Sequence, residues 1–147
     1  MVLDRDLVPQ AAAIPMRAGR VCLISSRGGK RWVVPKGRLE RGRGPEVIAL
    51  QEAWEEAGLL GILLPKPLGA YRYEKDDLVH RVIVYQMDVV AEMDDWPEVS
   101  RRRRWWVCLD RSLEHVRDRG LRRIMRGVAE PDDSPFLASA GAPRLAH

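Results

Sequence analysis

Three glutamates lie close together in a segment whose apolar pattern predicts a helix from Pro45 to about Ala57. Glu52 precedes Glu55 by three residues and Glu56 by four, so a helix places the three carboxylates on one face. Like charges at these spacings repel one another, whereas a bound divalent cation would reverse the sign of that interaction. The pattern is therefore typical of a metal site, although a solvated acidic helix face would show the same spacing.

The segment before this helix is a glycine-rich, basic loop. It runs from Lys36 to Gly44, reads KGRLERGRG, and contains three glycines and four basic residues. Glycines let a backbone approach a ligand closely, and cations suit a polyphosphate. Alone, such a loop could be a flexible surface segment. Beside the glutamates, it favours a site that binds a metal together with a phosphate group.

The stretch Gly37–Leu59, GRLERGRGPEVIALQEAWEEAGL, resembles the signature of the Nudix hydrolase family. That signature is a glycine, five residues, glutamate, seven residues, Arg-Glu, an aliphatic residue, any residue, Glu-Glu, any residue, glycine and an aliphatic residue. The positions that match are Gly37, Glu52, Glu55, Glu56, Gly58 and Leu59. Ala53 is a small substitute at an aliphatic position, and the lead-in WVVPKG is also similar to the family.

The resemblance implies a site, a reaction and a fold. The Gly37 carbonyl and the carboxylates of Glu52, Glu55 and Glu56 would bind Mg²⁺, with Mn²⁺ as an alternative. A water activated there would attack a phosphoanhydride, and Glu52 is the first choice of base. Glu98, in an acidic segment before the last predicted strand, is the second candidate base, unless it is a solvated loop acid. The implied fold is α+β, a Nudix-type α/β/α sandwich with a mixed β-sheet.

Two positions depart from the signature. Arg43 stands where the family has glutamate, and Gln51 stands where it has arginine. In the family these two residues pair and hold the loop against the helix. Losing both leaves no lone buried charge, and an Arg43–Gln51 hydrogen bond or an Arg43–Glu46 pair could substitute. A family member that binds a nucleotide or a partner without cleaving it therefore remains an alternative.

The substrate is indicated by weaker features. The segments RWVVPKG, HR, DW and RRRRWW are similar to those of diphosphoinositol polyphosphate and diadenosine polyphosphate phosphohydrolases. A highly phosphorylated small molecule needs several cations around it. The candidate substrate-binding residues are Lys30, Lys36, Arg38, Arg72, His80 and Arg81. Nucleoside triphosphates and nucleotide sugars remain open.

The basic character of the chain also suggests a nucleic-acid-binding module. The net charge is +4, the isoelectric point is near 9.4, and Arg101–Arg104 precede Trp105 and Trp106. Arginine and aromatic surfaces are the usual tools of nucleic-acid binding. On a strand, however, alternate members of this run face opposite ways, so only one set can line a site. This alternative leaves the three glutamates unexplained and is the weaker one.

Length and composition predict one domain with its own core. The 147 residues are 46% hydrophobic and 31% charged, and no apolar run reaches the ~18 residues of a membrane span. The first residues have no secretory pattern, and Cys22 and Cys108 are predicted to be buried thiols, which favours a cytoplasmic protein. We expect a monomer or a homodimer. The predicted domain is 11–130, between an N-terminal extension (1–10) and a flexible tail (131–147).

The remaining elements follow from apolar runs and turn residues. Strands are predicted at 11–17, 20–26, 31–34, 68–73, 79–90 and 101–109, and further helices at 112–116 and 121–128. Strands in runs with few helices predict an α+β fold with a mixed sheet. At 100° per residue, Val47, Leu50, Trp54 and Ala57 form the predicted core face of the first helix.

Overall fold

A mixed β-sheet with helices on both faces makes up residues 7–128, the part of the chain that the structure, a computed structural model, describes. The strands are β1 (Leu7–Arg17), β2 (Arg20–Ser25), β3 (Trp32–Val33), β4 (Lys36–Arg38), β5 (Leu59–Leu63), β6 (Gly69–Lys75), β7 (Leu78–Glu92) and β8 (Arg104–Cys108). The helices are α1 (Pro45–Ala57), α2 (Leu109–His115) and α3 (Arg119–Met125). The predicted C-terminal tail lies outside the described residues.

Strand β1 occupies the middle of the sheet. It runs parallel to β7, from the pair Leu7–Val79 to the pair Met16–Asp88. On its other edge it pairs antiparallel with β2 near its end and with β4 near its start. Strand β2 also pairs with β3 and β8, and β7 pairs with β5 and β6. This topology confirms the mixed sheet and fixes β4 directly before the loop that leads into α1.

The two faces of the sheet carry separate cores, because neighbouring residues of a strand point to opposite sides. Ala11 and Ala13 of β1 face α1, whereas Ala12 and Ile14 face α2 and α3. The core on the α1 side is completed mainly by Cys22, Ile24, Ile48, Ala49, Ala53, Leu59 and Met87. The core on the α2 and α3 side includes Leu23, Val34, Tyr71, Val84, Leu121 and Met125. The predicted α/β/α sandwich is therefore confirmed.

Helix α1 has the predicted bounds. Pro45 is at its first position, where a missing N–H has no cost. Gly58 ends it in the left-handed region, with φ 68°, and its N–H meets the carbonyls of Ala53 and Trp54. A Cβ on Gly58 would lie 2.7 Å from the ring of Trp96, so both backbone conformation and space require glycine there.

The predicted core face of α1 was wrong in part. Val47 is 41% exposed, whereas Ile48 is fully buried. The buried residues of the helix are Ile48, Ala49, Ala53, Glu56 and Ala57. Alanines on this face meet Ala11 and Ala13 of β1, so the helix approaches the sheet through small side chains rather than through its bulkiest ones. Glu56 consequently lies at the edge of the core rather than on an opposite, solvated face.

The strands differ from their predictions by a few residues at their ends, most of all β1 and β8. Strand β1 begins at Leu7, inside the predicted N-terminal extension, and β8 begins at Arg104 rather than at residue 101. Two strands were missed: β4 (Lys36–Arg38) lies within the predicted glycine-rich loop, and β5 (Leu59–Leu63) follows α1 with only Gly58 between them. The pairing of β5 with β7 shifts register at Gly61, which the backbone of β7 approaches too closely to leave room for a side chain.

Neither cysteine is in a disulfide, but only one is buried. Cys22 lies in the core on the α1 side, where burial raises the pKa of its thiol to about 12. Cys108 is exposed, contrary to the prediction. Among the described helices, none combines the length and apolar character that crossing a bilayer requires.

Candidate active site

Gly37 and Glu52 are in direct contact. Gly37 pairs with Ala11 across the β4–β1 ladder, and this register turns it toward α1. A Cβ on Gly37 would lie 2.5 Å from Cδ of Glu52 and 2.9 Å from its Oε1. The backbone can approach the Glu52 carboxyl this closely only because position 37 lacks a side chain.

The other two glutamates of α1 have different surroundings. Oε1 of Glu56 accepts a hydrogen bond from the Lys36 backbone N–H at 3.3 Å, and its Oε2 lies 3.7 Å from Nη2 of Arg102. Glu55 is half-buried, and its Oε1 accepts from Nε2 of Gln51 at 3.3 Å. The glutamate carboxyls are thus held by one backbone amide, one guanidinium and one amide side chain.

Crowding of the carboxyls changes their proton affinity. Partial burial, a hydrogen bond with Glu56 and the charges of Glu56 and Glu55 raise the pKa of Glu52 to about 8. Burial also raises the pKa of Glu56, although the hydrogen bond with Glu52 and the Arg102 charge oppose this. A proton on Glu52 therefore reduces the negative charge of the adjacent carboxylates, as a bound cation would.

These oxygens fit a hard divalent cation. Mg²⁺ prefers carboxylate and carbonyl oxygens, and the hydrogen bond between Glu52 and Glu56, one cause of the raised pKa of Glu52, brings two of these acids together. Within residues 7–128, no three Asp, Glu, His or Cys side chains already converge on a common cation position. Binding a metal would therefore require the carboxylates to reorient and Glu52 to give up its proton.

Glu98 reaches this cluster from the loop between β7 and β8. Its backbone N–H donates to the Glu55 carbonyl at 3.0 Å, and its carboxylate pairs with Arg102 at 3.0 Å. Trp96 of the same loop is buried and donates from Nε1 to the Glu56 carbonyl at 3.1 Å. Glu98 is therefore not a solvated loop acid, and the loop is tied to the last turns of α1.

The arginine run does not form a solvent-facing basic surface. Arg102 is buried, and its Nη1 donates to the Ser25 carbonyl at 2.9 Å. Arg104 donates from Nη1 to the carbonyls of Met93 and Ala57, and its guanidinium lies 4.1 Å from the centroid of the Trp96 ring. Two of the four arginines are thus engaged inside the protein, so only Arg101 and Arg103 remain exposed in support of the nucleic-acid alternative.

A cavity of about 310 Å³ opens on the other face of the sheet, at the start of α3. Its cationic lining residues are Arg31, Lys36, Lys75 and Arg117. Its aromatic lining residues are Trp32, Tyr71 and Tyr73, and its acids are Glu74 and Asp118. Asp118 accepts a hydrogen bond from the Leu121 N–H at 3.0 Å and caps α3. The cavity is therefore a net cationic site with aromatic walls.

Lys36 connects this cavity to the glutamates. Its backbone N–H binds Glu56, whereas its side chain lies in the cavity lining with Nζ 5.4 Å from the Tyr73 ring centroid. Burial lowers the pKa of Lys36, and the nearby Glu56 opposes that shift. One residue thus contacts both the acidic cluster and the cationic cavity.

The predicted substrate-binding residues are not all brought together. Lys36 lines the cavity, and Arg38 lies on the same face of β4. Lys30 is exposed in the turn before β3. Arg72 and Arg81 are exposed register partners on β6 and β7, and strand alternation turns them away from the cavity wall. The residues that the sequence reasoning missed are Arg31, Trp32, Lys75 and Arg117, since only folding places them around one cavity.

His80 is buried rather than exposed to an incoming ligand. Its ring stacks on Tyr73 with centroids 4.6 Å apart, and Tyr73 donates its hydroxyl to Gln10 at 2.7 Å. Over the described part of the chain, neither ring nitrogen of His80 has a hydrogen-bond partner. His80 supports the Tyr73 wall of the cavity but is not among its lining residues.

Comparison with known proteins decides the family. The sequence pattern that defines the NUDIX domain matches residues 7–128. The chain belongs to the NUDIX family. The match begins with β1 and ends after α3, so it covers both cores, the acidic cluster and the cavity.

Several relatives of known name share this NUDIX domain. Nudix hydrolase 4 of Arabidopsis thaliana is 32% identical over 123 residues, which cover 78% of this chain and 59% of that protein. Human diphosphoinositol polyphosphate phosphohydrolase 3-beta is 36% identical over 108 residues, which cover 69% of this chain and 65% of that protein. The chain thus spans less than two thirds of the length of either relative.

Solved structures with the NUDIX fold are also similar. The MutT protein of Methanosarcina mazei Go1 superposes with a TM-score of 0.69 and 20% identity, over 85% of this chain and 94% of that one. The Ap4A hydrolase of C. elegans gives a TM-score of 0.66 and 18% identity, over 82% and 95%. At these identities the likeness supports the fold.

The two departures from the NUDIX signature are accommodated without a loop clamp. Arg43 lies 3.8 Å from Glu40 within the exposed loop, and Gln51 bonds Glu55 one turn along the same helix. The substitutes predicted for the family pair, Arg43 with Gln51 or with Glu46, were therefore wrong. Neither contact ties the loop to α1.

The raised pKa of Glu52 predicts how metal-free stability depends on pH. Unfolded, Glu52 loses its proton near pH 4.5, whereas in the fold it retains the proton to about pH 8. The fold therefore favours protonated Glu52, and this stabilisation is fully present below pH 4.5 and is lost as the pH rises through 8. In EDTA, the melting temperature of Glu52→Gln minus that of the wild type should rise between pH 5 and pH 8.5.

Added Mg²⁺ should reverse this difference, because the cation stabilises only the wild-type carboxylate. Glu114→Gln, which removes an exposed acid of α2, is the matched control and should show no such trend. A flat difference for Glu52→Gln across this range would contradict the crowding of the carboxyls.

Proposed function

We propose that this protein is a Mg²⁺-dependent Nudix pyrophosphohydrolase that cleaves a phosphoanhydride bond in a small polyphosphate substrate. Mn²⁺ would serve as an alternative metal. The observation that carries the proposal is the position of Lys36, between the acidic cluster and a net cationic cavity. A substrate bound in the cavity would extend its phosphate chain past Lys36 to reach the carboxylates of α1.

In this proposal the acids bind the metal and the cations bind the phosphates. The Gly37 carbonyl with Glu52, Glu55 and Glu56 would hold the cation, which supplies charge neutralisation for a phosphate and an acidified water. Glu52 is the proposed base: without metal its raised pKa of about 8 keeps the carboxyl protonated, and a bound cation would ionise it so that it can accept a proton from the water. Glu98, fixed beside Glu56 by Arg102, is the second candidate.

The cavity favours a substrate that combines many charges with a compact ring. Four cations suit several phosphates, and the aromatic lining of Trp32, Tyr71 and Tyr73 offers apolar surface to a base or a sugar. Diadenosine polyphosphates and diphosphoinositol polyphosphates are the favoured substrates, in line with the names of relatives given above. A cytoplasmic setting and a monomer or homodimer belong to the same proposal.

Turnover on a defined panel tests this function. The protein with Mg²⁺ is incubated with diadenosine polyphosphates, diphosphoinositol phosphates and nucleotide sugars, and product release is followed by chromatography. Lys75→Met should raise KM for the preferred polyphosphate roughly tenfold with little change in kcat, because a charge-assisted contact contributes about 1.5 kcal/mol or more. Lys66→Met, which removes an exposed lysine outside the cavity lining, is the control. Equal effects of the two variants would contradict the assignment of the cavity.

A binding domain without cleavage is the second candidate. The observation in its favour is that Arg43 and Gln51 make only local contacts, so the signature's loop clamp is absent. Metal-dependent binding of the same compounds by calorimetry, with no product formed, would support it. Arg43→Glu combined with Gln51→Arg should then increase the rate if the missing clamp is what limits catalysis.

A further inference from the structure

We propose that Arg102 replaces the missing loop clamp and is the positioning residue of the acidic cluster. The proposal rests on the proposed function for its metal but not for its geometry. The buried guanidinium of Arg102 contacts three separate elements: α1 through Glu56, the β7–β8 loop through Glu98, and the end of β2 through Ser25.

The contacts of Arg102 use its fork geometry. Nε lies 3.0 Å from Glu98 Oε1, Nη1 donates to the Ser25 carbonyl at 2.9 Å, and Nη2 lies 3.7 Å from Glu56 Oε2. Only a planar group with several divergent donors can bind all three partners at once. The side chain is 7% exposed, so these contacts are made away from bulk water, where charged pairs are held firmly.

Hydrogen bonds also fix the backbone of the loop that carries Arg102. The Arg102 N–H donates to the Glu98 carbonyl, and the neighbouring Arg103 N–H donates to Ser25 Oγ at 2.9 Å. Glu98 in turn donates its N–H to the Glu55 carbonyl. The loop therefore holds Arg102 against Oε2 of Glu56, while Oε1 of Glu56 accepts from the Lys36 N–H.

This arrangement compensates for the two departures from the signature. The family pair joins the glycine-rich loop to α1, whereas here Arg43 and Gln51 make contacts within their own segments. Arg102 orients Glu56, which the Lys36 N–H of β4 also binds, so this carboxylate is held both from β4 and from the β7–β8 loop. By charge alone, a guanidinium so close to the metal ligands would weaken metal binding, so its removal would tighten binding. A positioning role predicts the opposite, namely weaker metal binding when Arg102 is removed.

The variant Arg102→Met tests the proposal through Mn²⁺ binding, measured by calorimetry on the intact chain without substrate. If Arg102 positions the acids, the dissociation constant for Mn²⁺ should rise about tenfold or more, as when groups that orient metal ligands are removed. Arg101→Met, an exposed neighbour that loses the same charge, should change it less than twofold. Unchanged or tighter binding in Arg102→Met would overturn the proposal.

Rescue and amide exchange complete the test. Adding Arg43→Glu and Gln51→Arg to Arg102→Met should recover much of the affinity, because it restores a clamp from the other side. In metal-free protein, Arg102→Met should speed hydrogen exchange at the Lys36 and Glu98 amides and leave Val84 unchanged. If the wild type binds no Mn²⁺, the proposed function fails, and hydrogen exchange alone tests the role of Arg102. Equal protection of the Lys36 and Glu98 amides in the wild type and in Arg102→Met would then refute that role. Arg102→Lys, which keeps the charge but not the fork, serves if Arg102→Met does not fold.

Discussion

Glu56→Gln is expected to reduce kcat on the preferred polyphosphate by a factor on the order of 10²–10³. The substitution keeps the shape of the side chain, so the Lys36 N–H retains an acceptor oxygen. It removes the negative charge that would bind a cation and that forms an ion pair with Arg102 in the metal-free protein. The rate is measured at saturating Mg²⁺ and substrate, which separates lost chemistry from weaker binding.

The variant should remain folded, which makes the loss of rate interpretable. Burial already raises the pKa of Glu56, so a neutral amide relieves part of the cost of holding a charge there. Metal-free melting of Glu56→Gln is therefore expected at or above the wild-type temperature. Glu114→Gln serves as the control for a carboxylate outside the cluster. Retention of more than a tenth of the wild-type kcat in Glu56→Gln would argue against a metal ligand at this position.

Trp96→Ala is expected to lower the free energy of unfolding by about 3–5 kcal/mol. The ring is 8% exposed, packs against Gly58, and carries Arg104 on one face at 4.1 Å. The indole N–H also satisfies the Glu56 carbonyl at the end of α1. Removing the ring leaves a cavity and an unpaired carbonyl together. Urea unfolding followed by circular dichroism measures the change.

Trp54→Ala is the matched comparison, because Trp54 is a half-buried tryptophan on the same helix. It should cost clearly less than Trp96→Ala. Trp96→Phe keeps most of the ring and loses the N–H, so it should lie between the wild type and Trp96→Ala. Equal costs for Trp96→Ala and Trp54→Ala would show that the Gly58 contact does not hold the helix end.

The sequence predicted the helix of the acidic cluster well, because strong local signals mark both ends. Pro45 begins α1 and Gly58 ends it in the left-handed region, as proposed from residue type alone. The buried face was misjudged, since a helical wheel weighs bulky residues and this helix approaches the sheet through Ala49 and Ala53. Which face is buried depends on the partner surface, and that information is tertiary.

Residues outside the signature were harder to foresee for the same reason. Arg102 lies within an arginine run that a solvated surface would explain equally well, and its role follows from Ser25 and Glu56, both distant in sequence. The cationic cavity likewise combines Arg31 with Lys75 and Arg117 from separate segments. Exposed Arg72 and Arg81, by contrast, were chosen for charge alone, and strand alternation turns them away.

Anomalous diffraction from crystals grown with Mn²⁺ and a non-hydrolysable polyphosphate analogue tests the claim that the acids of α1 bind a metal beside a polyphosphate. We expect a manganese peak within coordination distance of carboxylate oxygens of Glu52 and Glu56, next to a phosphate of the analogue. A phosphate group bound in the cavity with no cation beside α1, or manganese only at other surface acids, would contradict the claim.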